Sequence, residues 1–260
     1  MKDHRVKVTG NLQSNRTLIF IHGFGSRQEV WHSLIEPLIS DFRIVLLDSI
    51  GSNSSAAVYR NLYDYAEDFV DICSALEIKN AVLVGHSAGA MIGLVAANIS
   101  PQIASRLILI GASPRYLDDP DSGYKGGFSE SDIDEIYKSV VTQFSNWTCQ
   151  FANSVLMAPD QPELSADFVN NLRALPISQV LTVLYSIFQS DHRQELTAVI
   201  QPTLIVQSKQ DIVVPHEVAN YLKQQIPKAE LVEIDVPGHC PHLTAPSEVR
   251  RAIQKFIYQD

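Results

Sequence analysis

Cysteine is scarce in this chain of 260 residues, and its positions exclude two common kinds of site. Cys73, Cys149 and Cys240 are odd in number and far apart, so they form neither a disulfide framework nor a Cys-x-x-Cys metal motif. The glycines match neither the Gly-x-Gly-x-x-Gly pattern nor a phosphate-binding loop, and His239 and His242 lack the His-Glu-x-x-His context of a zinc helix. We therefore expect no metal and no cofactor.

Long apolar runs and basic runs are also missing. Residues 1–10 are polar, and the first apolar run, residues 17–21, is too short for a signal-peptide core or a membrane span. The net charge is −9 and no Lys/Arg cluster appears, which disfavours nucleic acid and anionic membranes as partners. These absences predict a cytoplasmic protein that binds neither membrane nor nucleic acid.

What the chain does contain is a series of short apolar runs separated by helical patterns. The runs are residues 18–21, 44–47, 81–84, 107–110, 203–206 and 231–234. Most are continuous rather than alternating, as expected for parallel strands that are covered on both faces. Strands that alternate with helices indicate an α/β fold with a mostly parallel central sheet. Residues 5–8 add a short antiparallel edge strand.

The alternation stops between about residues 127 and 191, where only helical patterns occur. Ser131 is expected to cap the first helix, with Asp134 three residues later. An apolar stripe follows at Ile133, Ile136, Tyr137, Val140, Phe144 and Trp147, and further helical patterns cover residues 164–175 and 177–188. A helical block inserted between two strands predicts a lid over the carboxyl edge of the sheet.

This pattern divides the chain into a core and an insertion. We expect residues 1–126 and 190–260 to form the core, and residues 127–189 to form the inserted helical lid. The alternative is that the inserted helices merely cover a face of the sheet.

The sharpest local signal is Gly-His-Ser-Ala-Gly at residues 85–89, directly after the predicted strand 81–84 and before a small-residue helix pattern. Gly-x-Ser-x-Gly between a strand and a helix is typical of a nucleophile turn, which lifts the serine hydroxyl clear of the sheet edge. The alternative is an ordinary glycine-rich strand-to-helix turn. The context favours Ser87 as a nucleophile.

A serine hydroxyl needs a base, and the base needs a carboxylate to orient it. Asp211 follows the strand 203–206, and His239 follows the last strand, which gives the chain order Ser, Asp, His of the α/β-hydrolase fold. His242 is the rival base, but His239 lies directly on the Gly238 turn. Asp235 is also near, although its place beside the histidine loop favours a structural role.

A tetrahedral intermediate also needs two hydrogen-bond donors for its oxyanion. The backbone N–H of Ala88, the residue after the nucleophile, is expected to be one. The other is expected from Phe24, in the His-Gly-Phe-Gly segment at residues 22–25 after the first parallel strand. The alternative for this segment is a simple strand-to-helix turn.

Six segments together carry a family resemblance. They are His-Gly-Phe-Gly at 22–25, Gly-His-Ser-Ala-Gly at 85–89, Gly-Ala-Ser-Pro-Arg-Tyr-Leu at 111–117, Gly-Gly-Phe at 126–128, Phe-Gln-Ser-Asp-His-Arg at 188–193 and Gly-His-Cys-Pro-His-Leu at 238–243. The chain resembles the RsbQ-type α/β hydrolases of the bacterial sigma-B stress pathway, which are related to the plant karrikin and strigolactone receptors. Ser26 and Arg27 depart from the family, where a small residue and an Asp are usual.

The resemblance implies a V-shaped lid of four helices over a buried, mostly apolar pocket with the serine at its floor. By motif position, the residues implied to line the pocket are Phe24, Tyr116, Trp147, Phe151 and Phe188. It also implies a protein partner of the sensor-phosphatase type.

Two classes of function follow from these observations. The first is a cofactor-independent serine hydrolase of a small hydrophobic ester or lactone. The second is a signalling protein that binds a ligand and then a partner, with slow or incidental hydrolysis. Carbon–carbon bond hydrolysis and perhydrolysis are further chemistries that the same fold supports.

Overall fold

A computed structural model describes residues 5–51 and 59–258 of the chain. Its strands are β1 (Lys7–Gly10), β2 (Thr17–Ile21), β3 (Arg43–Leu47), β4 (Ala81–His86), β5 (Ala104–Ile110), β6 (Thr203–Gln210) and β7 (Ala229–Pro237). They form one sheet in the order β1-β3-β2-β4-β5-β6-β7. The predicted α/β fold with a mostly parallel sheet is confirmed, and every predicted apolar run lies within one of these strands.

Strand direction places the carboxyl ends of β2 to β7 at one edge of the sheet. Only β1 runs antiparallel, pairing with β3 at the border, so the predicted edge strand is confirmed with a start two residues later. After β2 the chain places β3 on one side of that strand and β4 on the other. Ligands of open α/β sheets bind where the strand order reverses in this way, so the β2/β4 edge is where a site is expected.

The continuous apolar runs are explained by burial on both faces of the sheet. Along β2, Ile19 and Ile21 point into the larger core, whereas Leu18 and Phe20 point into a second core. All four side chains are buried. Burying an apolar side chain of this size contributes about 1.5–3 kcal/mol, so neither face tolerates a polar residue at these positions.

Helices cover both faces of the sheet. They are α1 (His32–Ile35), α2 (Leu62–Ala75), α3 (Ala88–Ile99), α4 (Glu130–Thr142), α5 (Phe144–Leu156), α6 (Pro162–Arg173), α7 (Ile177–Phe188), α8 (His216–Gln225), α9 (Pro241–Thr244) and α10 (Pro246–Ile257). The Asn61 side chain caps α2 by accepting a hydrogen bond from the Asp64 N–H at 3.0 Å. No helix within residues 5–51 and 59–258 has both the length and the apolar character needed to cross a bilayer.

The inserted block comprises α4 to α7, between β5 and β6, and two local predictions there were wrong. Ser129, not Ser131, caps α4, in a capping box with Asp132 that satisfies two backbone N–H groups. The apolar stripe that reads as one helix is broken at Gln143, where φ of −142° and ψ of 41° separate α4 from α5. No glycine or proline marks this break, so the sequence carries no turn signal there.

Candidate active site

Ser87 occupies the turn between β4 and α3 in a strained backbone conformation, with φ 53° and ψ −126°. A positive φ of this kind costs a non-glycine residue about 1–3 kcal/mol. The turn is so tight that a β-carbon at Gly85 would lie 2.4 Å from Cα of Ala90, and one at Gly89 would lie 2.4 Å from the carbonyl oxygen of Ile21. Both glycines are therefore required for the strand and helix to approach closely.

Asp211 and His239 are joined by a short hydrogen bond at the same sheet edge. Nδ1 of His239 lies 2.8 Å from Oδ2 of Asp211, and both side chains are almost completely buried. The bond places the histidine proton on Nδ1, so Nε2 is left as the base. Asp211 directly follows β6, and His239 follows β7 after Gly238.

The Asp211 carboxylate is held by four donors. Oδ1 accepts from the backbone N–H groups of Val213 and Val214, at 2.8 and 3.0 Å, and Oδ2 also accepts from Nε2 of Gln207 at 3.1 Å. Burial raises the pKa of Asp211, but His239 and the two backbone N–H groups outweigh it, so the pKa lies below its ordinary value. The carboxylate therefore stays charged at neutral pH and orients the imidazole.

The His239 loop is fixed by its backbone. The His239 N–H donates to the carbonyl of Val155 at 2.6 Å, and its carbonyl accepts from Nε2 of His86 at 3.0 Å. Gly238 has φ 88°, and a β-carbon there would lie 2.3 Å from the carbonyl oxygen of Leu156. Only glycine fits this turn, which brings the imidazole against Asp211.

The serine hydroxyl itself is bonded elsewhere. Oγ of Ser87 lies 3.2 Å from the hydroxyl of Tyr116, and Nε2 of His239 has no hydrogen-bond partner in the described part of the chain. The three residues predicted as a triad thus meet at one edge, but only the Asp–His pair is bonded. Catalytic hydrogen bonds often tighten only when substrate binds, so the absence of a Ser87–His239 bond does not exclude a triad.

The rival residues lie in different surroundings. His242 is completely buried, with its ring 4.3 Å from that of His86 and 4.7 Å from that of Trp31. Burial, and then the charge of His239, lowers the pKa of His242 to about 3. Asp235 is exposed and lies 3.3 Å from Nζ of Lys209. Neither rival contacts the Asp211–His239 pair through a hydrogen bond.

The predicted oxyanion donors border the serine. Within residues 5–51 and 59–258, the backbone N–H groups of Phe24 and Ala88 have no hydrogen-bond acceptor. A β-carbon at Gly23 would lie 3.1 Å from Cβ of Ser87, so the segment that carries Phe24 runs against the nucleophile turn. Two unpaired N–H groups beside a serine can donate hydrogen bonds to an oxygen that develops negative charge during the reaction.

His22 holds the backbone of residues 22–25 through two hydrogen bonds of its ring. Its Nδ1–H donates to the carbonyl of Gly23 at 2.8 Å, and its Nε2 accepts from the N–H of Ser49 at 3.0 Å. Burial lowers the pKa of His22, so the neutral ring that makes both bonds is the stable form. His22, which sequence reasoning treated only as part of a motif, therefore fixes the backbone next to Phe24.

A cavity of about 160 Å³ opens above Ser87 and His239. Its walls are almost wholly apolar. Phe24, Tyr116, Phe151 and Phe188 line it, but Trp147 does not. Trp147 lies behind the wall, stacked on Phe151 with ring centroids 5.1 Å apart and an interplanar angle of 13°. The placement implied for Trp147 is thus corrected: it supports a lining residue.

Sequence reasoning missed several lining residues. They are His86, Phe128, Ile136, Ser154, Val155, Phe168, Leu184, Ile187, Ile212, Val213 and Cys240. The helical spacing of Leu184, Ile187 and Phe188 was a usable signal, because these residues share one face of α7. Which face meets the cavity depends on packing, which the spacing does not show.

In the described ranges, no group of three or more His, Cys, Asp or Glu side chains has an arrangement that could hold a metal ion. His86, His239 and His242 lie near one another, but His86 Nε2 is bonded to a backbone carbonyl and His239 Nδ1 to Asp211.

Comparison with known proteins places these features in a family. Residues 16–246 match the family profile described as alpha/beta hydrolase fold. Karrikin insensitive 2 receptor CA of Petunia hybrida is 33% identical over 99% of this chain and 96% of its own length. Strigolactone esterase D14 of Arabidopsis thaliana is 34% identical over 97% of this chain and 95% of its own.

A solved hydrolase from Oleispira antarctica superposes with a TM-score of 0.92 at 28% identity, covering 100% of this chain and 96% of that one. The resemblance to the plant karrikin and strigolactone proteins is confirmed, whereas the narrower RsbQ type stays a prediction. By profile, sequence and fold, the chain belongs to the α/β-hydrolase family.

Proposed function

We propose that this protein hydrolyses a small hydrophobic ester or lactone through an acyl-enzyme on Ser87. The observation that carries the proposal is the buried Asp211–His239 pair, bonded at 2.8 Å, which opens with Ser87 into one apolar cavity. The names of the strigolactone esterase and other hydrolase relatives support the same chemistry.

Acylation begins when the Ser87 hydroxyl turns to Nε2 of His239. Oγ attacks the carbonyl carbon while its proton passes to Nε2, and the N–H groups of Phe24 and Ala88 hold the oxyanion. Asp211 stabilises the imidazolium that forms. When the tetrahedral intermediate collapses, the ester C–O bond breaks and His239 returns its proton to the departing oxygen.

Deacylation repeats these steps with water. His239 takes a proton from a water molecule, the hydroxide attacks the acyl carbon, and the bond to Ser87 Oγ breaks as the proton passes to that oxygen. The products are an acid and an alcohol, or a hydroxy acid when the substrate is a lactone. In this scheme Ser87 and His239, with Asp211 as the counter-charge, carry out every proton transfer.

The shape of the cavity defines the substrate class. Its small volume and its aromatic and aliphatic walls favour a compact apolar substrate, because burying a charge there would be costly. In this proposal residues 127–189 act as the lid, since Ile136 of α4, Phe151 of α5 and Leu184 of α7 line the same cavity as Ser87.

The test uses two serines that line the same cavity. Ser87→Ala should lower turnover of p-nitrophenyl butyrate by about 10³-fold or more, and Ser154→Ala should leave it almost unchanged. Intact-protein mass spectrometry should show an acyl adduct on the wild type and none on Ser87→Ala. Undiminished turnover by the Ser87 variant would refute the proposal.

A ligand-binding signalling protein is the second candidate, favoured by the receptor names of relatives at 33% identity. In this case a ligand would bind the same cavity, and a sensor-phosphatase-type protein would then bind. Counting product molecules per protein separates the two. Sustained turnover supports the hydrolase, whereas one slow turnover with a ligand-induced rise in melting temperature supports the receptor.

A further inference from the structure

The hydroxyl of Tyr116 is the hydrogen-bond partner of the candidate nucleophile. Its oxygen lies 3.2 Å from Oγ of Ser87, while Nε2 of His239 has no partner in the described part of the chain. Tyr116 is only 2% exposed, and all three side chains line the cavity. In this structure, therefore, the serine is bonded to a phenol rather than to its base.

Tyr116 is held rigidly in this position. Its carbonyl accepts a hydrogen bond from the N–H of Phe128 at 3.1 Å, and a β-carbon at Gly126 would lie 2.4 Å from the Tyr116 carbonyl oxygen. Its ring packs edge-on against Phe188, with centroids 5.9 Å apart. These contacts hold both the backbone and the ring of Tyr116, so its hydroxyl occupies a defined position.

The phenol also keeps its proton. Burial raises the pKa of Tyr116, although the hydrogen bond with Ser87 acts in the opposite direction. The contact is therefore between two neutral hydroxyls, and either can be the donor. In both cases the serine side chain is held in one rotamer. When serine is the donor, its single proton is not available to His239.

We propose that Tyr116 is a positioning residue that holds Ser87 in a resting orientation away from His239. The proposal rests on the proposed hydrolase function. Substrate must displace this contact before the serine can bond to its base. Tyr116 thus reduces the reactivity of the empty site towards small electrophiles.

This arrangement affects the two half-reactions differently. Before acylation, the Tyr116 contact competes with the Ser87–His239 bond, so removing the phenol oxygen should speed acylation. After acylation, Ser87 Oγ carries the acyl group and has no proton to share. The rate of deacylation should then be nearly independent of the phenol.

The test compares two Tyr→Phe variants from the same segment. Tyr116→Phe removes the contact with Ser87, whereas Tyr124→Phe removes a hydroxyl that donates to the carbonyl of Arg115 at 2.8 Å. Stopped-flow burst kinetics with p-nitrophenyl acetate give both rate constants. Tyr116→Phe should acylate about five-fold faster, the effect of one net hydrogen bond, with an unchanged deacylation rate. Tyr124→Phe should match the wild type in both.

Two outcomes would overturn the proposal. If acylation by Tyr116→Phe is unchanged or slower, Tyr116 does not restrain the serine; equal slowing of both half-reactions would indicate a structural or transition-state role. A wild-type crystal structure with Ser87 Oγ bonded to His239 Nε2 rather than Tyr116 would also overturn it, without any variant. A wild type that forms no adduct on Ser87 would instead refute the proposed function, and the crystal structure would still test the contact.

Discussion

Nδ1 of His239 lies 2.8 Å from Oδ2 of Asp211, and the residues that contribute them are separated by 27 others, which include α8 and β7. Pairing of β6 with β7 brings the two carboxyl ends together, with Gln210 opposite Pro237 at the end of the ladder. The hydrogen bond is thus a consequence of sheet register. A slip in that register would separate the two side chains.

Asp211→Asn tests the role of the charge. The amide oxygen can still accept from the N–H groups of Val213 and Val214, so the fold should be retained. Without the carboxylate, the imidazole loses its fixed tautomer and the imidazolium loses its counter-charge. We expect kcat for a nitrophenyl ester to fall by about 10³–10⁴-fold, measured at pH 7.5.

The control is Asp235→Asn, at the other carboxylate near the histidine loop. Asp235 is exposed and paired with Lys209, and exposed pairs contribute at most about 1 kcal/mol. Its kcat should stay close to that of the wild type. Equal losses in the two variants would show that Asp211 has no special function.

Gly89→Ala tests the close approach at the nucleophile turn. The new methyl group would lie 2.4 Å from the carbonyl oxygens of Ile21 and His22, and backbone cannot move aside cheaply. The free energy of unfolding should fall by about 2–4 kcal/mol, measured by urea denaturation. At Gly93→Ala, on the same helix, the methyl group would lie 3.2 Å from the end of the Ile21 side chain and 3.9 Å from Cβ of Leu83, with no backbone atom of another element within 4 Å, so the free energy of unfolding should change by less than about 1 kcal/mol. Equal losses in both variants would argue against a special constraint at Gly89.

The sheet and the order of the site residues could be predicted from the sequence because both depend on local pattern. Continuous apolar runs identify buried parallel strands, and each strand end then carries its functional residue to the same edge. Ser87, Asp211 and His239 are each adjacent to such a run, so their meeting follows from strand direction. The preference for His239 over His242 already followed from its place on the Gly238 turn, and the structure brings His239, not His242, into hydrogen-bond contact with Asp211.

Details of the lid could not be predicted because they depend on helix orientation. Trp147 and Phe151 are four residues apart and share one face of α5, so periodicity treats them alike. How that face tilts against α6 and the core decides which ring reaches the cavity. The contact between Tyr116 and Ser87 was equally hidden, because it joins two loops at different strand ends.

Buried histidine makes stability depend on pH. The ordinary pKa of histidine is 6.5, and in the folded protein burial, with the charge of His239, lowers that of His242 to about 3. Between these values the unfolded chain binds a proton that the folded chain excludes. The contribution of His242 to stability is therefore complete above pH 6.5 and falls as the pH drops towards 3.

His242→Phe should remove this dependence while keeping a ring against Trp31 and His86. Relative to the wild type, its free energy of unfolding should be about 2 kcal/mol larger at pH 5 than at pH 8, because the wild type loses this stability at pH 5, which lies 1.5 units below the ordinary pKa. Urea denaturation at both pH values measures it. His32→Phe, at an exposed position, is the control and should show no such difference. Parallel pH curves for wild type and His242→Phe would contradict the prediction.

Phe151→Leu tests whether the aromatic wall limits substrate length. Phe151 contacts the cavity, and its ring lies between those of Phe24 and Trp147. A smaller side chain at this position enlarges the cavity. We expect kcat/KM for p-nitrophenyl hexanoate to rise relative to that for the acetate by about ten-fold, since each buried CH₂ contributes about 0.8 kcal/mol.

Phe144→Leu is the matched control, because Phe144 stacks on Trp147 but does not line the cavity. Its ratio of hexanoate to acetate should stay at the wild-type value. An unchanged ratio in Phe151→Leu would mean that a different wall limits the acyl chain.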